Sequence, residues 1–115
     1  MNTRKRGAAG EERAAEYLLQ KGYRIVSRNY ETKDGEIDCI AQDADGTLVF
    51  VEVKCAHGRS MGNPLFRVNR RKQVQLAKMA RRYLYEHALS THPCRFDAIA
   101  VMPDKIDHLR NAFLA

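Results

Sequence analysis

The sequence predicts one α/β domain, a mixed β-sheet flanked by helices, with elements in the order α-β-β-β-α-β-(β). Three observations predict it. A stretch of helical periodicity precedes Gly22. Two β-rich runs flank the turn Asp43-Ala44-Asp45-Gly46. A long helix-period stretch then separates these runs from another apolar run at 96–102. At 115 residues the chain fits one compact domain and can bury a core without disulfides or structural metal.

In chain order, residues 8–21 read as a helix: Ala8, Ala15, Leu18 and Leu19 recur at helical spacing, and Gly22 is its stop. Residues 23–29 form a strand centred on Ile25 and Val26, and 36–42 and 48–54 form two more. Residues 55–67 contain Gly58, Gly62 and Pro64 and read as a loop. Asn69 caps a long helix running to about His87, with Val74, Leu76, Ala77, Ala80 and Leu84 on its apolar side. Tyr83 and Tyr85 read as packing residues. Residues 96–102 make a strand, Pro103-Asp104 turns the chain, and 106–109 adds a short edge strand. Residues 1–6, with Arg4, Lys5 and Arg6, form a basic arm ahead of a domain spanning 7–115.

Composition narrows the function classes. Apolar residues are 44% and charged residues 30%, and no apolar run approaches the roughly 20 residues of a membrane span. The start lacks a hydrophobic signal core, so a cytoplasmic protein is expected. A net charge of +6 suits a polyanionic partner. Cys39, Cys55 and Cys94 show no zinc spacing and read as small buried side chains in a reducing compartment. His57, His87, His92 and His108 show no metal-ligand spacing and read as surface or structural.

The chemistry lies in the acids. At about 100° per residue, Glu11 falls on the apolar stripe of the first helix, where an unpaired carboxylate is costly. In Leu48-Val49-Phe50-Val51-Glu52-Val53-Lys54, alternation puts the valines on one face and Leu48, Phe50, Glu52 and Lys54 on the other. Both faces begin apolar, as in a strand covered on both sides. If Ala44-Asp45-Gly46 closes the hairpin as a three-residue loop with Gly46 left-handed, Gln42 faces Leu48 and Ile40 faces Phe50. Asp38 then lies opposite Glu52, with β-carbons about 5 Å apart. Two carboxylates so placed call for a cation, and an all-oxygen ligand set selects Mg2+ or Mn2+. Asp38 and Glu52 are therefore the expected metal ligands. Glu11 would ligate through water or hold a second ion. Lys54 would position a water or offset charge on a phosphate.

Gly35-Glu36-Ile37-Asp38, thirteen further residues and then Glu52-Val53-Lys54 resemble the signature of the PD-(D/E)xK nuclease superfamily, with Ile37 in place of its proline. Gly7 and Glu11 resemble the opening helix of archaeal Holliday-junction resolvases. A fuller resemblance is to the bacterial YraN-like family. Gly10-Glu11, Gly22-Tyr23, Arg28-Asn29, Gly35-Glu36-Ile37-Asp38, Phe50-Val51-Glu52-Val53-Lys54, Lys72, Arg95-Phe96-Asp97 and Asn111-Ala112-Phe113 carry it. The resemblance implies a restriction-endonuclease-like fold. It also implies catalytic roles for Glu11, Asp38, Glu52 and Lys54, and allows a symmetric homodimer that cuts two strands. Where that family usually has an arginine two residues past the motif lysine, this chain has Ala56, and Arg59 is the candidate substitute.

Arg70, Arg71 and Lys72 open the second long helix, where cations oppose the helix dipole. A phosphate backbone nearby would explain them, so they are the expected nucleic-acid contacts together with Arg59. Lys78, Arg81 and Arg82 extend the basic surface, and Asp97 is a salt-bridge partner without a catalytic role. The leading function is a metal-dependent nuclease cleaving DNA, including branched or repair intermediates. The first rival is a nucleic-acid-binding protein that keeps the fold without turnover. The second is a basic interaction module with a structural Glu–Lys pair.

Overall fold

In a computed structural model, the structure describes residues 3–55 and 68–114. Seven elements follow one another: α1 (Thr3–Gln20), β1 (Arg24–Thr32), β2 (Gly35–Gln42), β3 (Leu48–Cys55), α2 (Arg70–Glu86), β4 (Cys94–Met102) and β5 (Lys105–Phe113). This is the predicted α/β order. The strands form one mixed sheet, β1-β2-β3-β4-β5, antiparallel except where β3 runs parallel to β4.

The two-faced pattern of β3 organises the molecule. Leu48 and Phe50 pack with Leu76, Met79 and Tyr83 of α2, while Val49 and Val51 pack with Ala14 and Leu18 of α1. A helix thus covers each face of the central strand, which is why β3 is apolar at consecutive positions. Among the described residues no helix is long and apolar enough to cross a membrane.

Asn69 caps α2 by accepting a hydrogen bond from Lys72 N at 2.8 Å, as its position predicts. The hairpin between β2 and β3 closes through Asp43 N to Thr47 O at 2.9 Å, with Gly46 at φ +92°. This is the expected three-residue loop.

Several expectations need correction. Helix α1 begins at Thr3, so the backbone of residues 3–6, read as an arm, is helical. Ala8 and Leu19 are exposed because each lies about 80–100° around the helix from Leu18, at the margin of the buried stripe. Val74 is 52% exposed because two residues before Leu76 is about 160° away on α2. Tyr85 is exposed whereas Tyr83 packs edge-on against Tyr30 and Phe50. Cys39 is buried, but Cys55 and Cys94 are exposed at strand ends. Strand β5 covers nine residues rather than a short edge, because its pairing continues past a bulge to Phe96 and Phe113.

The β4–β5 half holds a polar centre. Asp97, only 2% exposed, accepts from Arg95 Nε at 3.0 Å and Asn111 N at 3.1 Å, and meets His108 Nε2 at 2.7 Å. Arg95 donates to Asp43 at 2.8 Å and to Tyr23 Oη at 2.8 Å, and Tyr17 meets the other nitrogen of His108. Burial penalises the charges of both Asp97 and Arg95. The hydrogen bonds outweigh it, so the Asp97 pKa is lowered and the Arg95 pKa raised. The structural readings of Asp97 and His108 follow from these contacts.

Candidate metal centre

The β2–β3 register runs from Gln42↔Leu48 through Ile40↔Phe50 to Cys39↔Val51, as the turn predicts. There the strands part. Instead of another ladder bond, Val53 N donates to Asp38 Oδ2 at 2.7 Å. Ile37 shares the α2-side core with Ile40, whereas Cys39 and Ala41 pack on the α1 side. Side-chain alternation along β2 therefore changes phase between Ile37 and Ile40, and Asp38 occupies the slip. Across from it on β1, Arg28 pairs with Cys39 and Tyr30 with Ile37, while Asn29 between them takes φ +56°.

This irregularity lets Asp38 meet acids from both sides. Carboxylate oxygens of Glu11, Glu36 and Asp38 all lie within 4.8 Å of one another. Glu52 is within side-chain hydrogen-bonding reach of Asp38. Lys72 Nζ stands 3.8 Å from Glu52 Oε2. Two close approaches of helix to sheet hold the parts in place. A methyl group on Gly10 would overlap Cys55 Sγ, so this turn of α1, with Glu11 beside it, rests directly on the end of β3, and a larger residue there would require the Cys55 side chain to turn aside. A side chain on Gly35, at φ +140°, would overlap the Gln75 amide, which donates to the Asp34 carbonyl and anchors α2 to the β1–β2 turn.

Burial and neighbouring acids dominate the electrostatics of Glu11 and Glu52 in this cluster. Burial, then Asp38, pushes the Glu52 pKa up to about 7, despite the opposing charges of Lys72 and Lys54. Burial raises Asp38, against the Val53 N–H and the contacts with Glu52, Lys72 and Glu11. Burial followed by the charges of Asp38 and Glu36 raises Glu11, with partial relief from Arg28. Among the described residues the donor set is all oxygen. It fits a hard divalent cation.

The structure thus brings Glu11 and Glu52 each to Asp38, Glu52 lying outside the mutually close trio of Glu11, Glu36 and Asp38, with Lys54 close enough to act on Glu52. Glu36 completes the cluster and was missed as a site residue. Its signal was available: two positions before Asp38 on one strand, it shares that residue's face. Arg70 and Arg71 are exposed at the start of α2, and Lys72 turns in toward Glu52. Arg71 and Lys72 join Asp34, Asn69 and Gln75 around an open pocket of about 370 Å3. Arg59 lies outside the described residues.

A family model described as "Uncharacterised protein family UPF0102" matches residues 10–101. A UPF0102 protein of Symbiobacterium thermophilum is 48% identical over 118 residues, covering 98% of this chain and 99% of its own. Another, from Trichlorobacter lovleyi, is 40% identical over 112 residues, covering 93% and 88%. Among solved structures, an EndoMS–dsDNA complex matches with TM-score 0.41 and 18% identity over 76% of this chain and 34% of that one. Pyrococcus furiosus SfsA in complex with Ca2+ matches with TM-score 0.42 and 21% identity, over 95% and 64%.

Proposed function

The chain belongs to the UPF0102 (YraN) family, and we propose that it is a metal-dependent nuclease hydrolysing DNA phosphodiesters, branched or repair intermediates among them. The carrying observation is the convergence of Glu11, Glu36, Asp38 and Glu52, with carboxyl pKa values raised at Glu11, Asp38 and Glu52, beside Lys54 and Lys72. Glu11, Asp38 and Glu52 would hold Mg2+ or Mn2+. A bound ion of this kind stabilises charge on a phosphate and makes water a better nucleophile at neutral pH. Asp38 is the natural centre of the ligand set, because the Val53 N–H fixes one of its oxygens. Lys54 shares a strand face with Glu52 and would offset charge on the pentavalent phosphate. Arg70, Arg71 and Lys72 would hold the flanking backbone, with the basic face of α2 beyond them.

The test is cleavage of branched, single-stranded and duplex DNA, with RNA counterparts, in Mg2+ or Mn2+. Metal-dependent cutting lost in both Glu52→Ala and Lys54→Ala supports the reading. Tight binding without cutting by the parent would leave the rival, a non-catalytic nucleic-acid-binding protein. Replacing Arg70, Arg71 and Lys72 by Ala should lower affinity and reduce the salt slope by about one unit per lost contact. A symmetric dimer would bring two such centres to two strands, and sedimentation on a nicked or branched substrate measures it.

A further inference from the structure

Lys72 faces two places at once. Its ammonium lies 3.8 Å from Glu52, and its side chain also lines the pocket formed with Asp34, Asn69, Arg71 and Gln75. The partners are unequally fixed. The Glu52 side chain is 13% exposed on a central strand, while that of Lys72 is 34% exposed on a flexible stem. At 3.8 Å the pair is longer than a direct charge-assisted hydrogen bond of about 2.7–2.9 Å, so attraction holds it without locking its geometry. The helix itself is anchored by Gln75 on the Asp34 carbonyl and by Lys78 3.6 Å from the Asp34 carboxylate. Any movement therefore falls to the Lys72 side chain. The Asp34 carboxylate in the pocket wall is already engaged by Lys78, leaving Arg71 and Lys72 as the pocket's cations among the described residues.

We infer that Lys72 is a movable counter-ion that neutralises Glu52 in the metal-free chain and turns into the adjacent pocket to hold a substrate phosphate once Glu52 is engaged by a divalent cation. The inference rests on the proposed metal centre. Two cations competing for one carboxylate repel each other, so Lys72 weakens metal binding while the pocket is vacant. A phosphate in the pocket draws Lys72 away and removes that opposition. Metal and phosphate then bind with positive coupling, and thermodynamic reciprocity requires each to tighten the other by the same factor. Arg71, already in the pocket wall, supplies the second contact.

The experiment is calorimetric titration with Mn2+, in the absence and presence of a ten-residue phosphorothioate oligothymidylate. It uses the full chain, Lys72→Gln, Lys72→Arg and Glu52→Gln. The parent should bind Mn2+ about fivefold more tightly when the oligonucleotide is present, at the low end of typical couplings. Lys72→Gln should bind Mn2+ alone about fivefold more tightly than the parent and gain less than the parent from the oligonucleotide, keeping only the direct attraction between ion and phosphate. Lys72→Arg should keep the parent's coupling in reduced form. Equal or weaker Mn2+ binding by Lys72→Gln overturns the counter-ion role. Tighter binding with the coupling intact overturns the release into the pocket. If the parent binds no Mn2+, or Glu52→Gln binds as well as the parent, the metal centre fails and the inference with it.

Discussion

Asp38 and Asp97 occupy matching places on opposite halves of the sheet and meet opposite fates. Each lies beside an edge strand in which an asparagine takes a left-handed conformation, Asn29 at φ +56° and Asn111 at φ +54°. Asp97 receives Arg95, His108 and a backbone N–H, and its pKa falls. Asp38 receives one backbone N–H and three other acids, and its pKa rises. One centre pairs its acid with cations. The other, among the described residues, sets acid beside acid, with Lys72 reaching Glu52 at its margin.

The largest effect should come from breaking the paired centre. Arg95→Ala removes the cation shared by Asp97 and Asp43, leaving His108 beside the one and Arg110 beside the other, and should destabilise the fold by about 3–5 kcal/mol in denaturant unfolding. Asp38→Asn in metal-free buffer should be neutral or stabilising, because it removes a repelled charge. Equal losses from the two variants would erase the contrast.

Next in size is the pH dependence. The folded-state pKa of Glu52 is raised from 4.5 to about 7, so the folded chain binds more protons than the unfolded one between those values. Metal-free stability should therefore fall by about 3 kcal/mol as pH rises through that window. Glu52→Gln should flatten this part of the profile. Asp97 acts with the opposite sign and in a different window: its lowered pKa stabilises the fold above about 3.8, and that contribution is lost as pH falls below it.

Mn2+ at ten times its dissociation constant should raise stability by about 1.4 kcal/mol. The gain should be larger at pH 8 than at pH 5, where protons occupy Glu52, and should vanish in Asp38→Asn. A thermal shift unchanged by Asp38→Asn would place the ion elsewhere. Smallest are the two asparagines: Asn29→Ala and Asn111→Ala should each cost about 1 kcal/mol, with the glycine variants closer to the parent.

Much of this was legible from period and turn chemistry. The alternation in β3, the Asn69 cap and the three-residue loop ending at Gly46 gave the element order and the Ile40↔Phe50 pairing. The register brought Asp38 toward Glu52, and the helical wheel turned Glu11 inward. What could not be read was the phase change in β2. Strict alternation from Ile40 would send Ile37 to the α1 side, yet it packs toward α2, and this local break allows Asp38 to reach acids on two elements. Glu36 was overlooked because a lone glutamate near a strand end resembles a solvated one until its neighbours are placed. Lys72 read as one of three equivalent cations at a helix start. Only the packing of α2 over the sheet separates it from Arg70 and Arg71.

The parallel pairing of β3 with β4 has a kinetic consequence. Strands β1, β2 and β3 form a meander closed by short turns, so their contacts are local and can form on the microsecond scale of hairpins. Pairing Leu48 with Cys94 must wait until the chain has crossed back through α2, a long-range closure of the kind that limits folding rates. Asp38 and Glu52 would then come together early, while Arg95 and Asp97 join the structure late. Substitutions in the acid cluster should act mainly on the folding rate, and those around Asp97 mainly on unfolding.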